Sequence, residues 1–340
     1  MADPFDAAGL QYAWDSTSIK LAETCLYKYH LKMRMRWQPL RKSVHLLFGG
    51  WYATALEDFH KAVAGGVSYD QALCDVVHEA LIATWTYEPC TSCGGTGERL
   101  FGQETTDGVS KPCYDDCPHC GGTGNEPGTG EPWLSDHNTK TRENLIRTIV
   151  WYLEQFRDDP CATVILSDGS AAVEHSFKLP VDNDVILCGH LDRLVDYGGK
   201  LYVQDQKTTG TTITGRFFDG FSPDTQMSLY TFAGKAIFNL PVKGVMIDGA
   251  QIAVGFTRFE RGFTFRDDAQ LAEWYDNAMH TVELARKATS EEHFPMNPSS
   301  CGNYGGCEFR YICSRSPAVR ANFLAADFTQ SDQWNPMKER

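Results

Sequence analysis

VILCGHLDRLVDYGGKLYVQDQKTT, residues 185–209, holds two runs of period-two alternation on either side of Gly198-Gly199. Such alternation marks strands, and a glycine pair between two of them marks a tight hairpin. Asp192 lies in the first strand; Asp205 and Lys207 lie at the end of the second. Alternate residues of a strand share a face, so Asp205 and Lys207 project together while Gln206 points away. The hairpin brings Asp192 alongside. Two carboxylates and an ammonium then line one pocket. That set suits phosphodiester hydrolysis: hard oxygens bind Mg²⁺ or Mn²⁺, and a lysine orients the attacking water or offsets developing charge.

Outward from the hairpin, 171–179 reads as a preceding strand, making a three-strand meander, and carries Glu174 as a further candidate. Ser222-Pro223-Asp224 opens a helix to residue 238. Strands over 242–256 and 258–265 and a helix over 267–287 follow, then a loop-like tail from Phe294. Upstream, Ser16, Thr17 and Ser18 offer caps to a helix in which Ile19, Ala22, Cys25, Leu26 and Tyr29 recur at helical spacing. A second helix is expected over 46–64, ended by Gly65-Gly66. A third opens at Ser68 with Gln71, turns Ala72, Val76, Ala80 and Ile82 inward and ends near Tyr87. A fourth spans 139–157. The pattern predicts an α/β (α+β) domain with a mixed central sheet flanked by helices.

Between the third and fourth helices, residues 88–132 lose nearly all long apolar side chains. A stretch like this cannot bury a core and needs a staple. CTSCGGTG at 90–97 is matched by CPHCGGTG at 117–124. Two Cys-x-x-Cys knuckles make a closed tetrahedral zinc site of Cys90, Cys93, Cys117 and Cys120, with Cys113 and His119 to spare. The insertion divides the chain into a helical part of the main domain (1–87), a zinc module (88–132) and a core with terminal cysteines (133–340). The module either staples the insertion or grips DNA.

Two motifs carry a family resemblance. GHLDRLVDYGGKLYVQDQKTT resembles the RecB-like PD-(D/E)XK nuclease signature, in which a Gly-x-x-Asp-Arg strand turns into one ending Asp-x-Lys-Thr. FSPDTQMSLYTFAG is similar to that family's glutamine–tyrosine helix, matching at Gln226 and Tyr230. The resemblance covers 17–82 and 171–314. It implies a restriction-endonuclease-like core and a Mg²⁺- or Mn²⁺-dependent DNA nuclease, an exonuclease, serving recombination, repair or phage replication. Gln226 and Tyr230 would contact DNA or brace Lys207. Unwinding would fall to a helicase or recombinase on another chain. Glu57 matches the family's helix glutamate, as a metal ligand, but Ala53 stands where a metal-binding histidine is usual; His60 is a substitute. That gap leaves a second reading open: a DNA-binding protein with a degenerate nuclease fold. A zinc-stabilised interaction module is a third.

The terminal cysteines, Cys301, Cys307 and Cys313, recur every six residues. With Cys25 they resemble the set that holds a 4Fe–4S cluster in AddB-type nucleases, although the spacing departs from the commonest one and leaves zinc open. The paired knuckles also resemble the zinc units of the DnaJ chaperones; chaperone activity is not implied, since no J-domain signature is present. Cys74, Cys161 and Cys188 read as core residues.

The formal net charge of −13 runs against a nucleic-acid binder. Yet residues 24–56 carry no acidic side chain and hold Lys28, Lys32, Arg34, Arg36, Arg41 and Lys42, the first four offered as phosphate contacts. Screening limits distant charges to about 10 Å in dilute salt, so a local strip can still bind phosphate. Twelve cysteines, no leader-like start and no membrane-length apolar run make the cytoplasm the expected compartment.

Overall fold

The computed structural model describes residues 3–40, 43–84, 87–106, 109–127, 137–181, 184–238, 240–332 and 334–339. Arg41 and Lys42 of the basic strip lie outside them. The chain divides into two compact units. One comprises Met1–Leu46, Arg157–Gln251 and Arg258–Arg340; the other comprises Leu47–Phe156 and the hairpin tip Ile252–Thr257. The main helices are α1 (Ser16–Thr24), α2 (Val44–Ala64), α3 (Tyr69–Ala83), α4 (Arg142–Gln155), α5 (Thr225–Phe238), α6 (Asp268–Ser290) and α7 (Arg320–Asp327).

The first unit is built on a mixed sheet. Its main strands are β1 (Val173–Val181), β2 (Val185–Tyr197), β3 (Lys200–Thr209), β4 (Val242–Ile252) and β5 (Thr257–Phe265). β1, β2 and β3 form the expected antiparallel meander, and β4 then joins β3 in parallel. β2 organises the sheet. Along one edge it pairs with β1 from Val185 to Arg193. Along the other it pairs with β3 only from Tyr197 to Arg193, and farther down with a short parallel strand, Ala13–Trp14, at Ile186 and Leu187. That edge is therefore forked, and Asp192 sits in the fork.

One face of the sheet packs under helices. Leu194, Val203, Val245 and Ile247 lie there with Met227, Leu229 and Ala233 of α5, with Trp274 and Ala278 of α6, and with Ile19 of α1. Gly234 of α5 lets the helix lie directly on β3: a Cβ there would stand 3.1 Å from Val203. The α1 cap is Asp15 rather than the serines and threonine that follow it. Its carboxylate accepts from the Ser18 N–H at 2.9 Å, and Ser18 returns the bond in a capping box. Asp15→Ala is expected to cost about 1 kcal/mol in urea unfolding, and Asp15→Asn much less, because asparagine still accepts that bond.

The helix read as continuous through Tyr29 stops at Cys25, whose backbone is extended (φ −168°). The chain restarts as a short helix, Leu26–Tyr29, and one π-turn, His30–Arg34. The tail is also more ordered than a loop. It contains α7, and Phe328–Gln330 pairs with Trp37–Pro39. Leu31, Phe309, Ile312, Leu324 and Phe328 form a small core between these distant segments.

In the second unit, α2, α3 and α4 pack through aromatic contacts. Tyr52 meets Tyr152 edge-on at 5.9 Å and Phe59 meets Tyr69 at 4.8 Å. α3 ends at Ala83, short of Tyr87, and its Ile82 is 51% exposed, so the expected inward stripe stops at Ala80. Cys74 on the same helix is exposed, not core, whereas Cys161 and Cys188 of the first unit are buried. The knuckles are joined by a hairpin, Glu98–Thr106 with Val109–Asp116, and closed by pairing of Tyr87–Pro89 with Asn125–Pro127.

Candidate active site

The β2–β3 ladder ends with Gln204 opposite Arg193. One step farther on, the same register sets Asp205 opposite Asp192, and opposed residues of an antiparallel pair share a face. On the other edge, Val173 pairs with Arg193 and His175 with Leu191, which brackets Glu174 opposite Asp192. Three acidic residues therefore stand side by side across β1, β2 and β3. Lys207 Nζ lies 2.5 Å from Asp205 Oδ2. At the fork, the Gln206 N–H turns to the Asp192 carboxylate at 3.1 Å.

Burial raises the Asp205 pKa, with Lys207 acting against it. Burial also raises that of Asp192, and the neighbouring Asp205 charge adds to the effect. Tyr230 of α5 is pushed well above its ordinary value by burial, then by Asp192 and Asp205, which puts its phenol in the same pocket. Gln226 donates to the Tyr230 hydroxyl at 3.1 Å. Asp205 Oδ1 is buried without a hydrogen-bond partner. A buried carboxylate oxygen left so is costly unless a cation takes it, so the donor set fits a hard divalent ion.

Glu174, the second residue of β1, has a positive φ of 48°. A backbone angle of this kind in a non-glycine residue persists only where its surroundings enforce it. Its place opposite Asp192 was available to sequence reading, by counting back through the turn between β1 and β2.

Glu57 and His60 lie on α2 in the second unit, where Glu57 pairs with Lys61 at 2.5 Å. Members of the basic strip make contacts within the first unit. Lys32 meets Glu308 at 3.0 Å and Lys28 meets it at 4.0 Å. The Arg34 guanidinium lies 5.1 Å over Phe294. Arg36 is half-buried with φ 60°, and its carbonyl accepts from the Ser331 N–H at 2.9 Å.

The Cys90, Cys93, Cys117 and Cys120 sulfurs all lie within 4.8 Å of one another. Two cross pairs, Cys90–Cys117 and Cys93–Cys120, are 3.9 Å apart. Zinc–sulfur bonds of about 2.3 Å at tetrahedral angles call for sulfurs about 3.8 Å apart. The amides of Gly97 and Gly124 each donate to a sulfur at 3.3 Å. The backbones cross so closely that a Cβ at either glycine would stand 2.5 Å from the opposing carbonyl oxygen. His119 instead pairs with Glu126 at 2.8 Å, and Cys113 sits on the hairpin. Cys90, His119 and Glu126 form a second set of the same tightness that shares Cys90.

The terminal thiols also converge. The Cys313 pKa is raised to about 11 by burial first, then by Cys307, Cys25 and Cys301. The Asn297 N–H donates to Cys25 Sγ at 3.4 Å, tying the two ends together. Among the described residues these four do not draw within 4.8 Å of one another.

A mixed sheet opening at clustered carboxylates beside a lysine, under a helix, defines a hydrolase of the nuclease type. The chain belongs to the PD-(D/E)XK nuclease superfamily, whose family model matches residues 14–314. No curated protein matches the chain. Among solved structures it is similar to a protein from Eubacterium rectale named "Putative exonuclease", at 12% identity over 85% of each chain with a TM-score of 0.43. No helix among the described residues is long and apolar enough to cross a membrane.

Proposed function

We propose that the chain is a Mg²⁺- or Mn²⁺-dependent deoxyribonuclease of the RecB-like kind, acting on DNA ends as an exonuclease in recombination, repair or phage replication. The observation that carries this reading is the alignment of Asp192 and Asp205 at the fork, with Lys207 Nζ 2.5 Å from Asp205. Asp192, Asp205 and Glu174 would hold the ion. A bound Mg²⁺ or Mn²⁺ would polarise the scissile phosphate and lower the pKa of a coordinated water. Lys207 would orient that water and offset charge on the phosphate. Gln226 and Tyr230 wall the pocket from α5. A helicase or recombinase on another chain would supply the strand ends. The test is cleavage of end-labelled single- and double-stranded DNA with Mg²⁺ or Mn²⁺. Release of mononucleotides from ends supports the reading. Cleavage of a closed circle would make the enzyme an endonuclease, and no cleavage with either ion would refute a nuclease.

Two further metal centres belong to this reading. The paired knuckles take one zinc ion, as their sulfur spacing supports. The terminal four would take a 4Fe–4S cluster, as their resemblance to the AddB-type cysteine set implies. Anaerobically purified protein is expected to be brown, absorbing near about 400 nm, with iron present by elemental analysis. Cys313→Ser is expected to bleach it while the zinc content stays unchanged. Colourless, iron-free protein would assign these thiols to zinc or to no metal.

A further inference from the structure

The sheet face opposite the carboxylates carries a run of buried polar side chains that the proposed chemistry does not use. Arg193 and Gln204 are the last opposed pair before the fork. Their side chains point away from Asp192 and Asp205, their sequence neighbours, because strand residues alternate. On that face, Arg193 donates to the Gln204 amide oxygen at 3.0 Å. It also donates to the Thr163 hydroxyl at 2.8 Å and to the Cys161 carbonyl at 3.0 Å. The Gln204 amide nitrogen donates to Asp248 of β4 at 2.7 Å. Arg261 of β5 donates to the same Asp248 oxygen at 3.0 Å and pairs with Asp159 at 2.7 Å. Arg193, Gln204 and Asp248 are all buried, Gln204 completely.

We infer that Arg193, Gln204 and Asp248 are positioning residues: they clamp β2, β3 and β4 at the fork and so set the separation of the Asp192 and Asp205 carboxylates. The inference rests on the proposed metal site at those carboxylates. Its logic is mechanical. Beyond Gln204 the ladder gives way, since the Gln206 N–H is directed to the Asp192 side chain. The spacing of the two carboxylates therefore depends on the last pair that holds. Backbone pairing alone leaves that pair at the end of a ladder, where strands fray. The side-chain clamp doubles it and ties it to β4 and β5. Gln204 suits the post because its two neighbours demand opposite things of it. Arg193 needs an acceptor and Asp248 needs a donor, and one neutral amide supplies both.

The test uses that complementarity. Gln204→Glu places a carboxylate against Asp248 and is expected to splay the fork. Adding Asp248→Asn restores an amide–carboxylate bond with the roles exchanged, still accepting from Arg193 and Arg261. Mn²⁺ affinity, followed by electron paramagnetic resonance, and kcat and KM on labelled DNA are measured for each variant. Gln204→Glu is expected to weaken Mn²⁺ binding and lower kcat by about tenfold each, with KM for DNA little changed. The double variant is expected to recover most of both. Gln204→Met, which keeps the volume and removes both bonds, gives the same comparison if Gln204→Glu does not fold. Normal Mn²⁺ binding and kcat in the folded single variants, or a folded double variant no better than Gln204→Glu, overturns the clamp. Wild-type protein that neither binds Mn²⁺ nor cuts DNA overturns the reading of the site, and the clamp with it.

Discussion

Asp205→Asn is expected to lower DNA cleavage by about a thousandfold while raising the melting temperature of the metal-free protein by about 2 °C. The two effects share a cause. Asp205 is completely buried, its Oδ1 has no hydrogen-bond partner, and burial raises its pKa. Holding that charge out of water costs stability, offset in part by Lys207. Asparagine removes the cost but cannot supply an anionic ligand. Lys207, whose side chain is 28% exposed, can turn to solvent when its partner is neutral. The pH dependence follows. Both Asp192 and Asp205 have raised pKa values. The stability they contribute is therefore full at low pH, where they are protonated, and is lost as pH rises through those raised values. Mn²⁺ held at the proposed site would need their ionised forms. The gain in melting temperature on adding Mn²⁺ should accordingly be larger at about pH 8 than at about pH 6. Scanning calorimetry with and without the ion checks this; a gain that shrinks with pH would remove these carboxylates from the metal site.

The second large effect lies at the knuckles. Cys117→Ser is expected to empty the proposed zinc site and unfold residues 88–127 as a block. These residues bury few long apolar side chains: Leu100, Phe101 and Tyr114 are all exposed. What holds them is the sulfur cluster and the short pairings around it. Structural zinc contributes about 10–16 kcal/mol in small knuckle peptides, and here little else opposes chain entropy. The Cys117 thiol is already held below its ordinary pKa by the Cys120 amide and its neighbours, which favours the thiolate that zinc needs. Zinc per chain is expected to fall from one to none, and limited proteolysis to cut within this segment first. A zinc-free variant with an unchanged digestion pattern would show that the hairpin folds without the metal.

The meander, its Gly198-Gly199 turn and the shared face of Asp205 and Lys207 were legible because hairpin geometry is local and the period is unambiguous. The parallel partner of β3 was not. Asp248 interrupts the apolar run of β4, and it is 1% exposed and tied to Gln204, 44 positions away. Sequence spacing carries no sign of such long-range polar pairing. Cys25 was misplaced for a related reason: its helical spacing is sound, but its extended backbone ends α1 and aims the thiol at the tail. In 88–132, turn-rich composition concealed the hairpin, which the register of Glu98 with Asp116 reveals. The convergence of Cys90, Cys93, Cys117 and Cys120 was legible regardless, because Cys-x-x-Cys geometry depends on only a few bonds.

The contact between Asn297 and Cys25 joins residues 272 positions apart. On the ribosome, at about 5–20 residues per second, that interval is roughly a quarter of a minute to a minute. Throughout it, the first helix and its thiol have emerged but their partners have not. Maturation of this end of the protein is therefore a late, post-synthetic event, and a nascent chain stalled before residue 301 should remain open to thiol-reactive labels at Cys25.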